Sequence, residues 1–218
     1  MVLAAGRGAR LRPFTDSLPK PLIEVGGRAL IAWQLAALRR AGFTDVVVNL
    51  SWLGERLRAA LGDGRDFGVR LQYSDEGPVA LETGGGILNA LPLLGPAPFL
   101  VVSADIFTDL DFGGLRLEPA ALAHLVLVPN PPHHPRGDFG LEGNRVVLGE
   151  VRLTYGNVGI YRPEFFAGCR PGRFPLVEPL RRAIADGAVR GQLFTGQWSD
   201  VGTFERLAEL NGRLAQVQ

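Results

Sequence analysis

Short apolar runs alternate with stretches of helical periodicity in the first part of the chain. Apolar residues recur at helical spacing over 29–41, and a second helix is predicted over 52–61. Nearly continuous apolar runs at 45–50 and 69–73 are typical of buried strands. This alternation predicts an α/β fold, a Rossmann-like, mostly parallel sheet with helices on both faces.

The second part of the chain continues the alternation and adds a hairpin. The predicted elements are strands over 99–105, 122–129, 155–161 and 189–194, a hairpin over 141–148, and helices over 87–93, 176–185 and 204–214. Sheets of this kind bind ligands beyond the carboxyl ends of their strands. Candidate chemistry is therefore expected in the loops that follow the strands.

Composition narrows the class of protein. A chain of 218 residues with 46% hydrophobic and 21% charged residues is typical of one globular domain. The net charge of +1 gives no global field that would favour nucleic acid or a membrane. No apolar run reaches the roughly 18 residues of a membrane span, and no signal peptide is evident, so a cytoplasmic location is expected. A single cysteine, Cys169, excludes an internal disulfide.

The opening loop carries glycines and cations directly after the first apolar residues. Gly6 and Gly8 allow close backbone approach to a ligand, and Arg7, Arg10 and Arg12 add positive charge suited to phosphate. The loop lacks the Lys-Ser or Lys-Thr of a Walker A motif and the third glycine of a dinucleotide fingerprint. The residues alone leave two interpretations, a polyphosphate loop or a surface turn.

Lys20 favours the polyphosphate interpretation. It is the only lysine among 23 basic residues, and prolines flank it on both sides. A compact ammonium charge, stiffly presented, suits a role that the planar guanidinium of arginine does not fill.

The motifs Leu-Ala-Ala-Gly-x-Gly-x-Arg-Leu-x-Pro at 3–13 and Pro-Lys-Pro-Leu at 19–22 resemble the signature of sugar-1-phosphate nucleotidyltransferases. The resemblance implies the nucleotide-diphospho-sugar transferase fold with a small β flap, as a single domain over 1–218. Its nucleotide-binding half would cover about 1–110 and its sugar-binding half about 111–218. It also implies catalytic roles for Lys20 and Arg10, and a nucleoside triphosphate held by Ala4, Ala5, Gly6, Arg7, Gly8 and Lys20.

A run of three glycines at 84–86 precedes the helix predicted over 87–93. Three consecutive glycines cost folding entropy, so close backbone approach is favoured over a merely flexible surface loop. The resemblance implies that this segment, including Gly84, reads the nucleotide base, with Glu76 near the base edge. The motif Glu-Thr-Gly-Gly-Gly is most similar to that of the enzymes in the family that use UTP.

Two aspartates follow apolar strands or precede a helix. Asp105 ends the strand predicted over 99–105, and Asp200 precedes Thr203, the predicted cap of the last helix. Each could be a capping residue; each is also placed where a Mg²⁺ ligand would lie beside phosphates. The resemblance implies that both bind Mg²⁺, that Asp105 is catalytic, and that Ser103 contacts the nucleotide.

The segment 130–150 is predicted to form a substrate-facing flap. Its His-His-x-Arg-Gly-Asp-Phe wording resembles the N-acetylmuramate-1-phosphate uridylyltransferase branch in particular. The resemblance implies sugar contacts by Asp138, Glu150 and Asn157, although Asn157 could instead be a turn residue. Adjacent histidines in an extended chain point apart, so zinc is not expected at this loop.

These observations predict a sugar-1-phosphate nucleotidyltransferase. The expected reaction transfers a uridylyl group from UTP to a sugar 1-phosphate, N-acetylmuramate 1-phosphate by preference, with Mg²⁺ and release of pyrophosphate. The product would serve cell-wall recycling. A guanylyl- or thymidylyltransferase acting on mannose- or glucose-1-phosphate, and a non-catalytic nucleotide-sugar sensor, remain alternatives. A monomer or small homo-oligomer without nucleic-acid or membrane partners is expected.

Overall fold

The computed structural model describes residues 1–216, in two compact units that interleave along the sequence. The first unit contains residues 1–80, 103–113 and the segment from 197 onward; the second contains 81–102 and 114–196. The prediction of a single domain, with halves divided near residue 110, stays a prediction.

The secondary structure of residues 1–216 consists of thirteen strands, five α-helices and six short 3-10 helices. In chain order the strands and α-helices are β1 (Val2–Leu3), β2 (Glu24–Val25), β3 (Arg28–Ala29), α1 (Leu30–Arg40), β4 (Asp45–Leu50), α2 (Gly54–Leu61), β5 (Arg70–Asp75), α3 (Glu82–Leu94), β6 (Phe99–Ser103), β7 (Ile106–Thr108), β8 (Ala123–Val128), β9 (Gly140–Glu142), β10 (Arg145–Val147), β11 (Thr154–Tyr161), α4 (Val177–Ala185), β12 (Val189–Leu193), β13 (Trp198–Asp200) and α5 (Phe204–Ala215).

Each of the two units contains its own set of neighbouring strands. In the first unit β5, β4 and β1 are parallel neighbours, with Val2 opposite Val48. The second unit has the order β6-β11-β8-β12-β10-β9, in which β8 and β12 are parallel neighbours and the other neighbouring pairs are antiparallel. The predicted α/β fold with a central sheet is confirmed, and the antiparallel pairs belong to the second unit.

The hydrophobic core of the first unit joins all three of its segments. Leu11 and Ile23 from the opening segment, Phe107 of β7, and Val201 and Leu210 from the last segment are buried in one cluster. The last segment also contributes a strand, because β13 pairs antiparallel with β7. This pairing places the residues after β6 next to the residues before α5.

The second unit contains the predicted hairpin. Strands β9 and β10 are antiparallel around the pair Gly143-Asn144, and Gly143 has a φ of +60°. Two-residue hairpin turns of this kind need positive φ, which glycine and asparagine tolerate best. The aromatic side chains of Tyr161, Phe165 and Phe166 pack edge to face or tilted beside β11 and form part of the core of this unit.

Candidate active site

The opening loop is anchored at both ends of its glycine-rich turn. The backbone N–H of Ala4 donates a hydrogen bond to Oδ1 of buried Asn49, at 2.6 Å. Gly8 has a φ of +66°, and a Cβ there would lie 3.1 Å from side-chain atoms of both Thr15 and Lys20. Thr15 in turn donates its hydroxyl to the Gly8 carbonyl at 2.9 Å. A glycine at position 8 is therefore required by both backbone conformation and packing.

Gly6, the other glycine of the turn, is exposed to solvent, as is Arg7 after it. A Cβ at Gly6 would meet no atom within 4 Å, and Ala5 beside it is buried. Gly6 is therefore not needed to fit protein atoms, which leaves room on this side of the loop for a ligand.

The three arginines of the loop have different surroundings. The guanidinium of Arg7 lies 4.2 Å from the centre of the Trp52 ring, and Nη2 lies 3.7 Å from Asp16. Arg12 donates from Nε to the same carboxylate at 2.8 Å. Arg10 is exposed and lies instead beside Gly202. All three guanidinium groups thus belong to one exposed loop.

Lys20 forms an ion pair with Asp105. The lysine is 8% exposed and donates from Nζ to Oδ2 of Asp105, while Ser103 donates its hydroxyl to Oδ1 at 2.6 Å. Burial disfavours the ionised carboxyl, but the charge and hydrogen bond of Lys20 and the bond from Ser103 outweigh it and lower the pKa of Asp105. The carboxylate is held ionised, and both of its oxygen atoms are engaged.

Asp200 lies next to Asp105 along a strand ladder. Asp200 is opposite Ile106 in the β7–β13 pair, and the N–H of Val201 donates to the Asp105 carbonyl at 2.8 Å. Asp200 forms an ion pair with Arg206 of α5. The two predicted metal-binding aspartates are thus neighbours in the first unit, and each is paired with a cation.

No group of three or more His, Cys, Asp or Glu side chains suited to a metal ion occurs in the described part of the chain. A metal ion bound by Asp105 and Asp200 would need its remaining ligands from substrate or water. Such sharing is usual for Mg²⁺, which keeps several waters and binds through one or two carboxylates and substrate phosphates.

Glu76 follows β5 and contacts the end of β4. Its Oε1 accepts a hydrogen bond of 2.6 Å from Nδ2 of Asn49, the same side chain that binds Ala4. Parallel pairing of β4 with β5 brings these carboxyl ends together. Asn49 therefore links the opening loop to the carboxylate predicted near the base.

In the second unit, the glycines at 84–86 are helical rather than a loop before a helix. α3 begins at Glu82, five residues earlier than predicted, and a Cβ at Gly84 would lie 2.4 Å from Cε2 of Phe174. A Cβ at Gly85 would lie 2.2 Å from the Gly172 carbonyl oxygen, and the N–H of Gly85 donates to the Phe174 carbonyl at 3.1 Å. The close approach made possible by Gly84 and Gly85 is to the 172–174 segment of the protein.

The three predicted sugar-binding residues differ in their contacts. Asp138 accepts a 2.8 Å hydrogen bond from the Tyr155 N–H through Oδ2, and Nε2 of His134 lies 3.0 Å from Oδ1. Asn157 is exposed with a φ of +57°, at an irregularity in the pairing of β11 with β8. Glu150 is exposed in the segment before β11. The structure joins Asp138 to the start of β11.

The family model of nucleotidyl transferases matches residues 1–141. The chain belongs to the nucleotidyl transferase family. It is 50% identical to the N-acetylmuramate alpha-1-phosphate uridylyltransferase of Neisseria meningitidis, over 96% of this chain and 95% of that protein. It is 36% identical to the protein of the same name from Caulobacter vibrioides, over 100% and 97% of the two chains.

Solved structures share the fold of this nucleotidyl transferase. A Bacillus anthracis structure described as a glucose-1-phosphate thymidylyltransferase superposes with a TM-score of 0.87 at 18% identity, covering 100% of this chain and 95% of the other. The inositol-1-phosphate CTP transferase of T. maritima gives 0.77 at 18% identity, over 99% and 95%. At this identity the likeness concerns the fold.

Two polar residues of this nucleotidyl transferase, Asn49 and Arg206, were not predicted as site residues. Asn49 lies within an apolar strand, where its two side-chain hydrogen bonds cannot be foreseen. Arg206 has a recognisable signal, because a cation in the first turn of a helix opposes the helix dipole and so requires a nearby acid.

No helix in residues 1–216 is long and apolar enough to cross a membrane.

Proposed function

We propose that this nucleotidyl transferase converts UTP and N-acetylmuramate α-1-phosphate into the UDP-sugar and pyrophosphate. The observation that carries the proposal is 50% identity, across nearly the whole of both chains, to an enzyme with that activity in its name. Its product would be a precursor recovered for the cell wall. The predicted cytoplasmic location, and the monomer or small homo-oligomer, stay predictions.

The chemistry follows from the charges of the reactants. An oxygen of the sugar phosphate attacks the α-phosphorus of UTP, the bond from that phosphorus to the bridging oxygen breaks, and pyrophosphate leaves with the electron pair. The attacking oxygen is already ionised, so no general base is needed. Catalysis therefore depends on alignment and on neutralising negative charge.

We assign these tasks to residues of the first unit. Lys20 would bind the reacting phosphates, and Arg7, Arg10 and the N–H groups of the opening loop would hold the leaving pyrophosphate. Glu76 would lie near the base and Ser103 near the nucleotide.

The residues fit a magnesium ion. The backbone of Asp105 lies just before β7 and next to the end of β13 that carries Asp200, and the two carboxylates would supply the hard oxygen ligands that Mg²⁺ takes. When bound there, Mg²⁺ would neutralise the triphosphate and help to orient it. Lys20 forms an ion pair with Asp105, and Arg206 forms one with Asp200.

The roles proposed in the second unit concern recognition. Gly84 would contribute to base recognition through the start of α3, and Asp138, Glu150 and Asn157 would contact the sugar. Polar groups that bind sugar hydroxyls discriminate strongly against sugars that lack a matching hydroxyl.

The test is pyrophosphate release in a grid of UTP, dTTP, GTP, CTP and ATP against N-acetylmuramate-, N-acetylglucosamine-, glucose- and mannose-1-phosphate. A single dominant UTP–N-acetylmuramate signal is expected. A maximum at GTP with mannose-1-phosphate would overturn the substrate assignment in favour of the chemistry named for an Aspergillus fumigatus relative that is 38% identical over 93% of this chain. Nucleotide binding without turnover in the whole grid would indicate a sensor.

Matched variants test the carboxylate assignment. Asp105→Asn and Asp200→Asn are expected to abolish metal-dependent turnover, whereas Asp66→Asn removes an exposed carboxylate of the same unit and should leave it unchanged. Full activity in both Asp105→Asn and Asp200→Asn would refute the assignment.

A further inference from the structure

Arg206 is placed against the electrostatic preference of its helix. It lies in the first turn of α5, where its N–H donates to the capping hydroxyl of Thr203 at 3.4 Å. The N-terminal end of a helix carries partial positive charge and disfavours cations. The Arg206 and Asp200 side chains are only 12% and 20% exposed, so the ion pair between them is largely removed from water. Asp200 is therefore the physical reason for a buried cation at this position.

A second guanidinium group approaches the same turn. A Cβ at Gly202 would lie 2.2 Å from Nη2 of Arg206 and 2.8 Å from Nη2 of Arg10. Gly202 is buried, and only a glycine permits both arginines to come so near its backbone. Two positive charges thus converge on the turn that carries the Asp200 carboxylate. Convergence of this kind favours an anion that brings more negative charge than one carboxylate supplies.

The other predicted metal ligand is held in the same way. Lys20 forms an ion pair with Asp105, and the two aspartates are neighbours on the β7–β13 ladder. Removing a carboxylate from water disfavours its ionised form unless a cation or hydrogen bonds compensate. Each cation therefore stabilises a site whose negative charge would otherwise destabilise the metal-free protein.

We propose that Arg206 is a positioning residue that holds Asp200 in place before the metal arrives and then releases the carboxylate to the metal. The inference rests on the proposed function, because it takes Asp200 as a metal ligand. Once released, the guanidinium of Arg206 joins Arg10 beside Gly202 as a ligand for phosphate oxygens. Metal and nucleotide then favour each other's binding. The metal takes the Asp200 carboxylate and so frees the Arg206 guanidinium, and the phosphate oxygens of the nucleotide replace the negative charge that this guanidinium has lost.

Manganese binding without nucleotide tests the exchange directly. Mn²⁺ is the probe, and the electron paramagnetic resonance signal of free Mn²⁺ reports its binding. Arg206→Gln removes the competing cation and is expected to tighten Mn²⁺ binding about tenfold, the scale of a partly buried charge interaction. Arg213→Gln removes the same charge from an exposed position about two turns along α5 and should change nothing. Asp200→Asn in the Arg206→Gln background should remove the gain.

Kinetics supply the second readout. Arg206→Gln is expected to raise the KM for UTP about tenfold while kcat falls less, because a phosphate ligand is lost. Arg206→Lys keeps the charge and should preserve the weak Mn²⁺ binding of the unaltered protein. If Arg206→Gln lowers the folded fraction seen by circular dichroism, Arg206→Met retains the aliphatic packing of the side chain and replaces it in both assays.

Unchanged or weaker Mn²⁺ binding in a folded neutral variant would overturn the inference. So would tighter binding in Arg206→Lys, because charge would then not be the cause. The Arg206 exchange and the proposed enzymatic function can be refuted independently of each other. Turnover in the unaltered protein with no Mn²⁺ effect in Arg206→Gln refutes only the exchange. A Mn²⁺ gain that depends on Asp200, in a protein without turnover, supports the exchange and refutes the enzymatic function.

Discussion

Replacement of Gly85 by alanine tests why three glycines stand at the start of α3. The helical conformation of this glycine is one that alanine adopts readily, and alanine in a helix is favoured over glycine by about 0.5–1 kcal/mol. By propensity alone, Gly85→Ala should stabilise the protein. The added methyl group, however, would lie 2.2 Å from the Gly172 carbonyl oxygen and 3.0 Å from Cβ of Leu81.

The steric term is expected to exceed the propensity gain. The first contact is far shorter than any van der Waals distance, and the obstructing atom belongs to a backbone that cannot rotate away as a side chain would. The 172–174 segment is also tied to this helix end, because Phe174 exchanges backbone hydrogen bonds with Gly85 and Leu81. Overpacking of this kind costs about 1–3 kcal/mol or more, so we expect net destabilisation of about 1–2 kcal/mol.

Urea unfolding followed by circular dichroism measures the difference in the free energy of unfolding. A loss of 1 kcal/mol corresponds to about 2–4 °C in Tm for a chain of this size. Gly212→Ala is the matched control, since Gly212 lies inside α5 with no atom within 4 Å of an added Cβ. The control should be stabilised by about 0.5–1 kcal/mol.

A Gly85→Ala protein at least as stable as the unaltered chain would refute this reasoning. It would mean that the glycine does not serve packing against residues 172–174. A variant with unaltered stability but lost UTP binding would instead support close approach of a ligand, as the sequence predicts. The free energy of unfolding without ligand is therefore the deciding quantity.

Three further predictions concern single side chains. Lys20→Met should lower kcat for pyrophosphate release at saturating UTP about 10²–10³-fold, which is the scale of one lost transition-state donor. Arg65→Gln, which removes an exposed cation, should leave kcat unchanged. Asn49→Leu leaves the buried Ala4 N–H without its acceptor and should cost about 1–3 kcal/mol in urea unfolding, and an unchanged midpoint would contradict the anchoring role. His124 lies on β8, and burial lowers its pKa in the folded protein, so stability should be full above the unfolded value of about 6.5 and fall as the pH drops below it. His124→Gln should flatten that dependence between pH 7.5 and 5.5, whereas a slope equal to that of the unaltered protein would show that other groups cause it.

The main elements of the fold follow from local patterns. Helices over 29–41 and 204–214 were predicted to within a residue or two, because apolar spacing and the cap at Thr203 are local signals. Strands β7 and β13 were not predicted as a pair. Each has three residues, and their pairing depends on contacts between segments about ninety positions apart.

Contacts between distant segments also limited the prediction of the candidate site. Lys20 stands out in the sequence because it is the only lysine, but its partner Asp105 lies 85 residues away and is visible only after folding. The glycines at 84–86 were predicted to allow close backbone approach to the nucleotide, whereas the structure places Phe174 against Gly84 and the Gly172 carbonyl against Gly85.

The discontinuous first unit has a consequence for how the protein is made. Val201 and Leu210 complete a core whose other residues, such as Leu11 and Ile23, are translated well before them. At an elongation rate of about 5–20 residues per second, the early segments wait roughly ten seconds or more for these partners to be synthesised. A ribosome that stalls before codon 197 leaves a nascent chain whose apolar surface has no complement, and such a chain is a natural substrate for chaperones. Synthesis of the segment from 197 onward is therefore what allows the first unit to close its core.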